Sequence, residues 1–422
     1  MTALLLFVSF IFFMIVRVPI GFSLGLACLV TIFYSGSVSP QYLVQGLVTS
    51  ADSFPLMAIP FYILAGEVMG QGGISKRLFD FAKIFVGNIT GGLAIATVIT
   101  CIFFAAISGS GPATVAAIGG MVIPLMVKQG YDKKFATAII VAAGTIGVII
   151  PPSIPMVIYG VSASASIGDM FMAGIIPGLI VGLLLILYSY FYAKFHNYEK
   201  DIQSFSFQRL WNEFKEAAWS LAMPVIILGG IYGGVFTPTE AAVVATVYGL
   251  IIGVFVYREL DLKKLYNVFR NSALTTAVIL IITGTATFFG RILSIENIPE
   301  IVASAITSIS DNPIILLILI NLFLLFVGTF MDVIASIIIL TPILLPVALE
   351  IGVDPIHFGI ILVVNLAIAL ITPPIGGSLF VGIGISRLSI WDLSKAIVPM
   401  FFLMVLALMI VTFLPQINLL LP

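Results

Sequence analysis

The sequence predicts an all-α polytopic membrane protein made of two inverted-topology repeats, each with a re-entrant helical hairpin and a discontinuous helix. Three observations lead there. The 422 residues are 61% hydrophobic and only 9% charged, with 18 Lys and Arg against 19 Asp and Glu, and the mean hydropathy is +1.23. That is too little charge to cover a soluble surface. Apolar runs repeatedly exceed about 18 residues, the length a helix needs in a bilayer, and lack the short alternation of outer-membrane barrels. Finally, GYDKKFATAIIVAAGTIGVIIPPS at 130–153 aligns without a gap on GVDPIHFGIILVVNLAIALITPPI at 352–375, a constant offset of 222.

In chain order, the first apolar segment, 3–34, has no basic region ahead of it and outruns a signal peptide, so it reads as structure. Segments at 55–71, 91–107, 134–150 and 170–192 complete the first repeat, residues 1–192. The polar interval AKFHNYEKDIQSFSFQRLWNEFKEAAW at 193–219 has the mix of charge and aromatics that suits an amphipathic interfacial helix. It supplies a cytoplasmic linker at 193–216. The second repeat, 217–422, holds segments at 217–234, 237–256, 273–290, 313–330, 357–372 and 397–416.

The repeat rests on punctuation rather than on grease. Under the offset Pro124 falls on Pro346, Gly130 on Gly352, Asp132 on Asp354, and Pro151 and Pro152 on Pro373 and Pro374. Further upstream, VRVPIGF at 16–22 lies beside VFTPTEA at 235–241 only loosely. The loop around Lys128, Lys133 and Lys134 is basic, whereas its counterpart carries Glu350 and Asp354 and no Lys or Arg. By the positive-inside rule the two loops face opposite sides, which inverts the repeats. Lys194, Lys200, Arg209 and Lys215 mark one further cytoplasmic segment, Arg258, Lys263, Lys264 and Arg270 another, and Arg387 with Lys395 a third. The stretch 153–169, with Asp169 its lone charge, is expected outside. Counting crossings leaves a parity mismatch at 72–90 and again at 291–309, which predicts a short or tilted crossing in each.

Two kinds of feature interrupt the greasy helices. SGSGP at 108–112, and Gly328, Thr329 and Asp332 in the copy, read as tips of hairpins at mid-depth, where non-helical backbone is tolerated only inside protein or along a polar cavity. The double prolines force helix breaks, leaving free carbonyls suited to Na⁺ and amide ends suited to a carboxylate. Two tips and two breaks would meet around Ser108, Ser110, Thr145, Thr329, Asp332, Asn365 and Thr372, with Ala143 in the position matching Asn365. Asp332 stands out because an ionisable group deep in a span is costly. Singly, Ser108, Gly111 or Thr372 is equally explained by close packing.

Other features read as structure. Pro238 and Glu240 fit helix capping, Glu67 fits a moving interface or a wet helix end, and the Phe-rich FVSFIFFM fits a lipid-facing surface. KRLFDFAK and RLWNEFKE fit surface helices. Cys28 and Cys101 sit in apolar surroundings, and His196 and His357 are isolated, so neither disulfides nor a metal enzyme is supported. No Walker, HExxH or nucleophile-elbow motif appears. No enzyme activity and no nucleic-acid binding are expected.

GGVFTPTEAA (233–242), AAISGSGPATVAAIG (105–119), IIPPSIPMVIYG (149–160), GTFMD (328–332) and ITPPIGG (371–377) together resemble the large membrane subunit of a tripartite ATP-independent periplasmic (TRAP) transporter, over essentially the whole chain. The resemblance implies Na⁺-coupled import of an organic anion, a C4-dicarboxylate or sialic acid for example, by an elevator-type scaffold plus transport domain. The transport-domain halves would be 91–165 and 313–386. It implies a substrate set of Ser108, Ser110, Gly111, Pro152, Thr329, Asp332, Asn365 and Pro374. The sodium set would be Ser108, Ser110, Gly144, Thr145, Pro151, Gly328, Thr329, Asp332, Thr372 and Pro373. Na⁺ is the coupling ion and no cofactor is expected. Two partners are implied, a small membrane subunit and a periplasmic substrate-binding protein in a bacterial inner membrane. The chain opens in its first span, so the small subunit is expected as a separate polypeptide. A channel, an uncoupled anion carrier and a non-transporting assembly subunit are the alternatives. On this reading Asp332→Ala or Asn365→Ala weakens Na⁺-dependent uptake more than expression.

Overall fold

The structure, a computed structural model, describes residues 2–36, 39–198, 207–308, 310 and 312–419. The described residues form helices and turns without a strand. The predicted segment 3–34 is two helices, α1 (Thr2–Ile15) and α2 (Ile20–Ser35). Arg17 turns the chain with φ +69°, and Pro19 has no amide to continue α1. After α3 (Pro40–Ala51) and a 3-10 turn at Phe54–Met57, α4 (Ala58–Gln71) leads into α5 (Ile74–Val86).

The crossing expected at 72–90 is replaced by α5. Its 13 residues rise only about 20 Å, short of a hydrocarbon core of about 30 Å. It buries Leu78, Phe79 and Ala82 while Lys76 is exposed. Arg77 Nη1 lies 2.8 Å from Glu259 Oε1, and its guanidinium carbon lies 3.7 Å from the Tyr257 ring centre. The KRLFDFAK stretch is therefore a surface helix tied to the basic 258–270 segment. Likewise α14 (Ile298–Thr307) is a 10-residue helix too short to cross. Neither helix is long enough to cross, so the short or tilted crossings expected at 72–90 and 291–309 are absent.

Next come α6 (Gly92–Ser108), α7 (Gly111–Lys128), α8 (Lys133–Gly144), a 3-10 turn at Thr145–Val148, α9 (Ile154–Ser162) and α10 (Ile167–Phe195). In the linker, 199–206 with Lys200 lies outside the described residues. Its remainder is not a separate helix, because α11 (Phe207–Tyr232) runs from the linker straight into the next span. Then follow α12 (Pro238–Ile251), which closes in a π turn at Ile252–Val256, and α13 (Leu262–Ile295), at 34 residues much longer than the predicted 273–290. After α14 come α15 (Pro313–Gly328), α16 (Val333–Glu350), α17 (Pro355–Ala369), α18 (Gly377–Ser386), α19 (Ile390–Phe413) and α20 (Pro415–Leu419). By length and composition, seven helices among the described residues can cross a membrane.

The bounds of α7 and α16 differ by 222 residues at both ends, and the starts of α8 and α17 differ by the same number. Capping explains why Gly and Asp mark this register. Gly130 and Gly352 take φ +85° and +79°, a left-handed conformation that glycine adopts without a Cβ penalty. Asp132 and Asp354 cap the next helix, accepting from the Phe135 amide at 3.2 Å and the Ile356 amide at 2.8 Å. Glu240 proves to be a cap as well, paired with Thr237 in a capping box.

At the centre, residues 135–144 of α8 and 357–369 of α17 are buried on every face, as expected of helices without a polar side. Around them pack α7, α10, α16 and α19, while α4 packs on α6, α7, α12 and α13, and α13 packs on α16.

Candidate functional site

The first tip is drawn closed by its own hydroxyls. Ser108 Oγ lies 2.8 Å from Thr114 Oγ1, and that hydroxyl donates to the Ser110 carbonyl at 2.9 Å. Gly109 turns the chain at φ +60°. Beyond the tip, α7 has 18 residues and rises about 27 Å, while α8 (12 residues) and its 3-10 turn (4 residues) return about 26 Å. Equal lengths from a common loop set the tip beside the break.

Contact between them is made by backbone. The Ile154 amide donates to the Gly109 carbonyl at 3.3 Å. A Cβ built on Gly147 would stand 2.6 Å from Thr114 Oγ1 and 2.8 Å from the Ser110 carbonyl oxygen, and one on Gly109 2.8 Å from the Pro152 carbonyl. Gly144 packs under Val115, and a Cβ on Gly111 would stand 3.4 Å from the Gly144 carbonyl. Pro151 and Pro152 are buried there, joined by a cis peptide like that between Pro373 and Pro374.

The second break is more open. Pro373 and Pro374 are exposed, and the Leu370 carbonyl bridges the gap by accepting from the Ser378 and Leu379 amides at 3.1 and 3.2 Å. Asp332 is exposed at the second tip and caps α16 through the Ile334 amide at 2.9 Å. Gly328 packs on Ala369 of α17, and Pro112 of the first tip reaches Gly377 at the second break.

A cavity of about 550 Å³ lies between these parts. Ser108, Ser110 and Asp332 line it from the tips, Val148 and Ile154 from the first break, Ile63 and Glu67 from α4, and Thr275 and Ile282 from α13. Its described lining contains two carboxylates, Glu67 and Asp332, and no Lys or Arg.

The other predicted residues are not part of its described lining. Gly111, Gly144, Pro151, Pro152 and Gly328 are packing contacts, whereas Pro373 and Pro374 face outward. Thr145, Thr329 and Thr372 each donate the hydroxyl proton to their own helix, at 2.7, 2.7 and 2.8 Å. That leaves oxygen lone pairs, which suit a cation better than an anion. Asn365 is buried, and its amide donates to Asn321 O and Oδ1, both at 3.0 Å. Asn321 donates to Thr412 at 3.1 Å. We expect Asn365→Ala to cost about 1–2 kcal/mol and to lower expression and uptake in parallel, measured as membrane yield against initial rate.

Sequence reasoning passed over Thr275 and Ser378. The Thr pair in NSALTTAVI marks the former. Ser378 directly follows the ITPPIGG motif, and its buried hydroxyl has no hydrogen-bond partner among the described residues.

The profile described as "Tripartite ATP-independent periplasmic transporter, DctM component" matches residues 7–417. The chain belongs to this family. It is a large permease of the DctM type. The C4-dicarboxylate TRAP transporter large permease protein DctM of Rhodobacter capsulatus is 40% identical over 436 residues, covering 100% of this chain and 99% of that protein. The sialic acid TRAP transporter large permease protein SiaM of Vibrio cholerae is 39% identical over 404 residues, 96% of this chain and 94% of that one. The isethionate TRAP transporter permease protein DctMQ of Oleidesulfovibrio alaskensis is 52% identical over 412 residues, which are 98% of this DctM chain; the chain spans 65% of that relative's length. In fold alone, the DctM chain is similar to the Alcanivorax borkumensis YdaH transporter, with a TM-score of 0.62 at 16% identity over 90% of this chain and 88% of that one.

Proposed function

We propose that the chain is the Na⁺-coupled permease of an organic-acid importer. The observation that carries this reading is the cavity with Glu67 and Asp332 and no cation among its described lining residues. An organic anion entering it meets like charge in a medium where such repulsion is weakly screened, so bound cations must accompany it. The oxygen-rich tips and breaks supply hard ligands of the kind Na⁺ takes. Relatives named for C4-dicarboxylates, sialic acid and isethionate all concern small acids, and the substrate here is of that class.

Movement follows the elevator reading with inverted repeats. The tips and breaks travel as one body against a wall made by α4 and α13. Gly66 of that wall meets the Ser108 backbone with no side chain between, since a Cβ there would stand 3.2 Å from the Ser108 carbonyl. In the bacterial inner membrane the permease works with a small membrane subunit, and a periplasmic binding protein delivers the acid.

The test is uptake of labelled succinate, sialic acid and isethionate into proteoliposomes with both partners supplied. One acid should accumulate only under an inward Na⁺ gradient and only with its binding protein. Accumulation indifferent to Na⁺ would sink the coupling, and none in a folded complex would sink the substrate class or the partner assignment.

A further inference from the structure

The cavity at the tips is walled by two kinds of part. Ser110 and Asp332 belong to the tips, whereas Gly66, Glu67 and Thr275 belong to α4 and α13. Among the described lining residues that α4 and α13 contribute, Glu67 alone is charged. Ile63, Gly66, Glu67 and Gly70 recur at the spacing of one helix face. Both glycines of that face touch the first hairpin: a Cβ on Gly66 would stand 3.2 Å from the Ser108 carbonyl oxygen, and one on Gly70 3.6 Å from Ala117 Cβ of α7. Glu67 therefore stands between two contacts with the body that carries the first tip. Its carboxylate accepts one long hydrogen bond, from Gln71 Nε2 at 3.5 Å, and no Lys or Arg shares the described lining.

We propose that Glu67 makes the wall selective for charge, holding back a transport body loaded with the organic acid alone and releasing one loaded with both acid and Na⁺. The proposal rests on the elevator reading, in which the tips move while α4 and α13 stay. Under that reading the two carboxylates of the cavity do different things. Asp332 travels with the acid, so the repulsion between them is the same at every point of the crossing and acts on binding. Glu67 stays behind, so its repulsion changes as the acid passes and acts on the barrier. A cavity of about 550 Å³ is about 10 Å across. At that separation, and at the effective dielectric of a partly wet protein site, two like charges repel strongly enough to slow crossing about tenfold. Na⁺ bound beside the acid cancels the charge that Glu67 opposes.

The test is initial uptake at zero and at saturating Na⁺, in proteoliposomes with both partners supplied, for the parent, Glu67→Gln and Glu67→Asp. The probe is whichever of labelled succinate, sialic acid and isethionate the parent accumulates. Glu67→Gln should lower the ratio of the two rates about tenfold, because its Na⁺-free rate rises. Glu67→Asp keeps the charge and should keep the ratio. A residue that only packs would change both rates together and leave the ratio alone, a result that would overturn the proposal. A parent whose uptake ignores Na⁺ would remove the coupling itself and this role with it, whereas a Na⁺-dependent parent whose ratio survives in Glu67→Gln would remove only the role of Glu67. A second measurement needs no transport. Thr275→Cys is labelled in purified full-length protein with a cationic trimethylammonioethyl and an anionic sulfonatoethyl methanethiosulfonate. Both native cysteines are buried, so labelling reports the introduced thiol. Relative to the rates on a free thiol, the cationic reagent should be favoured about tenfold, the scale on which fixed charge raises local counter-ion concentration, and adding Glu67→Gln should reduce that preference. A preference untouched by Glu67→Gln would show that its charge does not act in the cavity and would overturn the proposal.

Discussion

Asp332→Asn is expected to cut Na⁺ affinity roughly a hundredfold, equivalent to about 3 kcal/mol, while leaving the apo protein nearly as stable as the parent. The substitution separates the two jobs this residue has. As the cap of α16 it accepts from the Ile334 amide, and asparagine caps about as well as aspartate. As a carboxylate exposed to the cavity it supplies charge, which asparagine lacks. Asp332→Ala removes both and should cost about 1 kcal/mol more in stability. The measurement is thermal unfolding in detergent with and without Na⁺, followed by uptake. Na⁺ should raise the midpoint of the parent and leave that of Asp332→Asn unmoved. An undiminished response in Asp332→Asn would remove this residue from the ion site.

Gly147→Ala is expected to destabilise the protein by about 2–4 kcal/mol and to abolish uptake. The added methyl would meet Thr114 Oγ1 at 2.6 Å and the Ser110 carbonyl at 2.8 Å, and the carbonyl belongs to a turn that cannot yield without opening the tip. Gly120→Ala is the matched control. It lies on α7 with nothing within 4 Å of its Cβ position, so helix propensity alone acts, stabilising by about 0.5–1 kcal/mol. A Gly147→Ala protein that melts with the parent would show that tip and break are loosely held.

Much of this was legible in the sequence for a physical reason. Gly130, Gly352, Asp132 and Asp354 are caps, and caps announce helix ends by residue type. Double prolines stop helices wherever they occur, and the SGSGP tip carried its own turn chemistry. What escaped was tertiary. Nothing in the run 3–34 outweighs its hydrophobicity except Arg17 and Pro19, and a single proline can equally kink a helix as end it. The stretch 72–90 reads both as a crossing and as a surface helix, and the length of α5 together with its contact with Glu259 decides between them. Asn365 is visible in the sequence as a polar residue in an apolar run, but its partner Asn321 lies 44 residues away. Glu67 and Thr275 reach the cavity through the packing of α4 and α13, which local pattern does not encode.

The two proline breaks differ in one respect, since Pro151 and Pro152 are buried against the first tip while Pro373 and Pro374 are exposed. A carrier folded from two equivalent inverted halves has no intrinsic front or back, because exchanging the halves returns the same object facing the other way. Unequal solvation of the breaks removes that equivalence. In the elevator carrier proposed above, ligands that close the open half would change the energy of one orientation more than the other. A preferred direction of loading would then follow from the difference between the copies rather than from what they share.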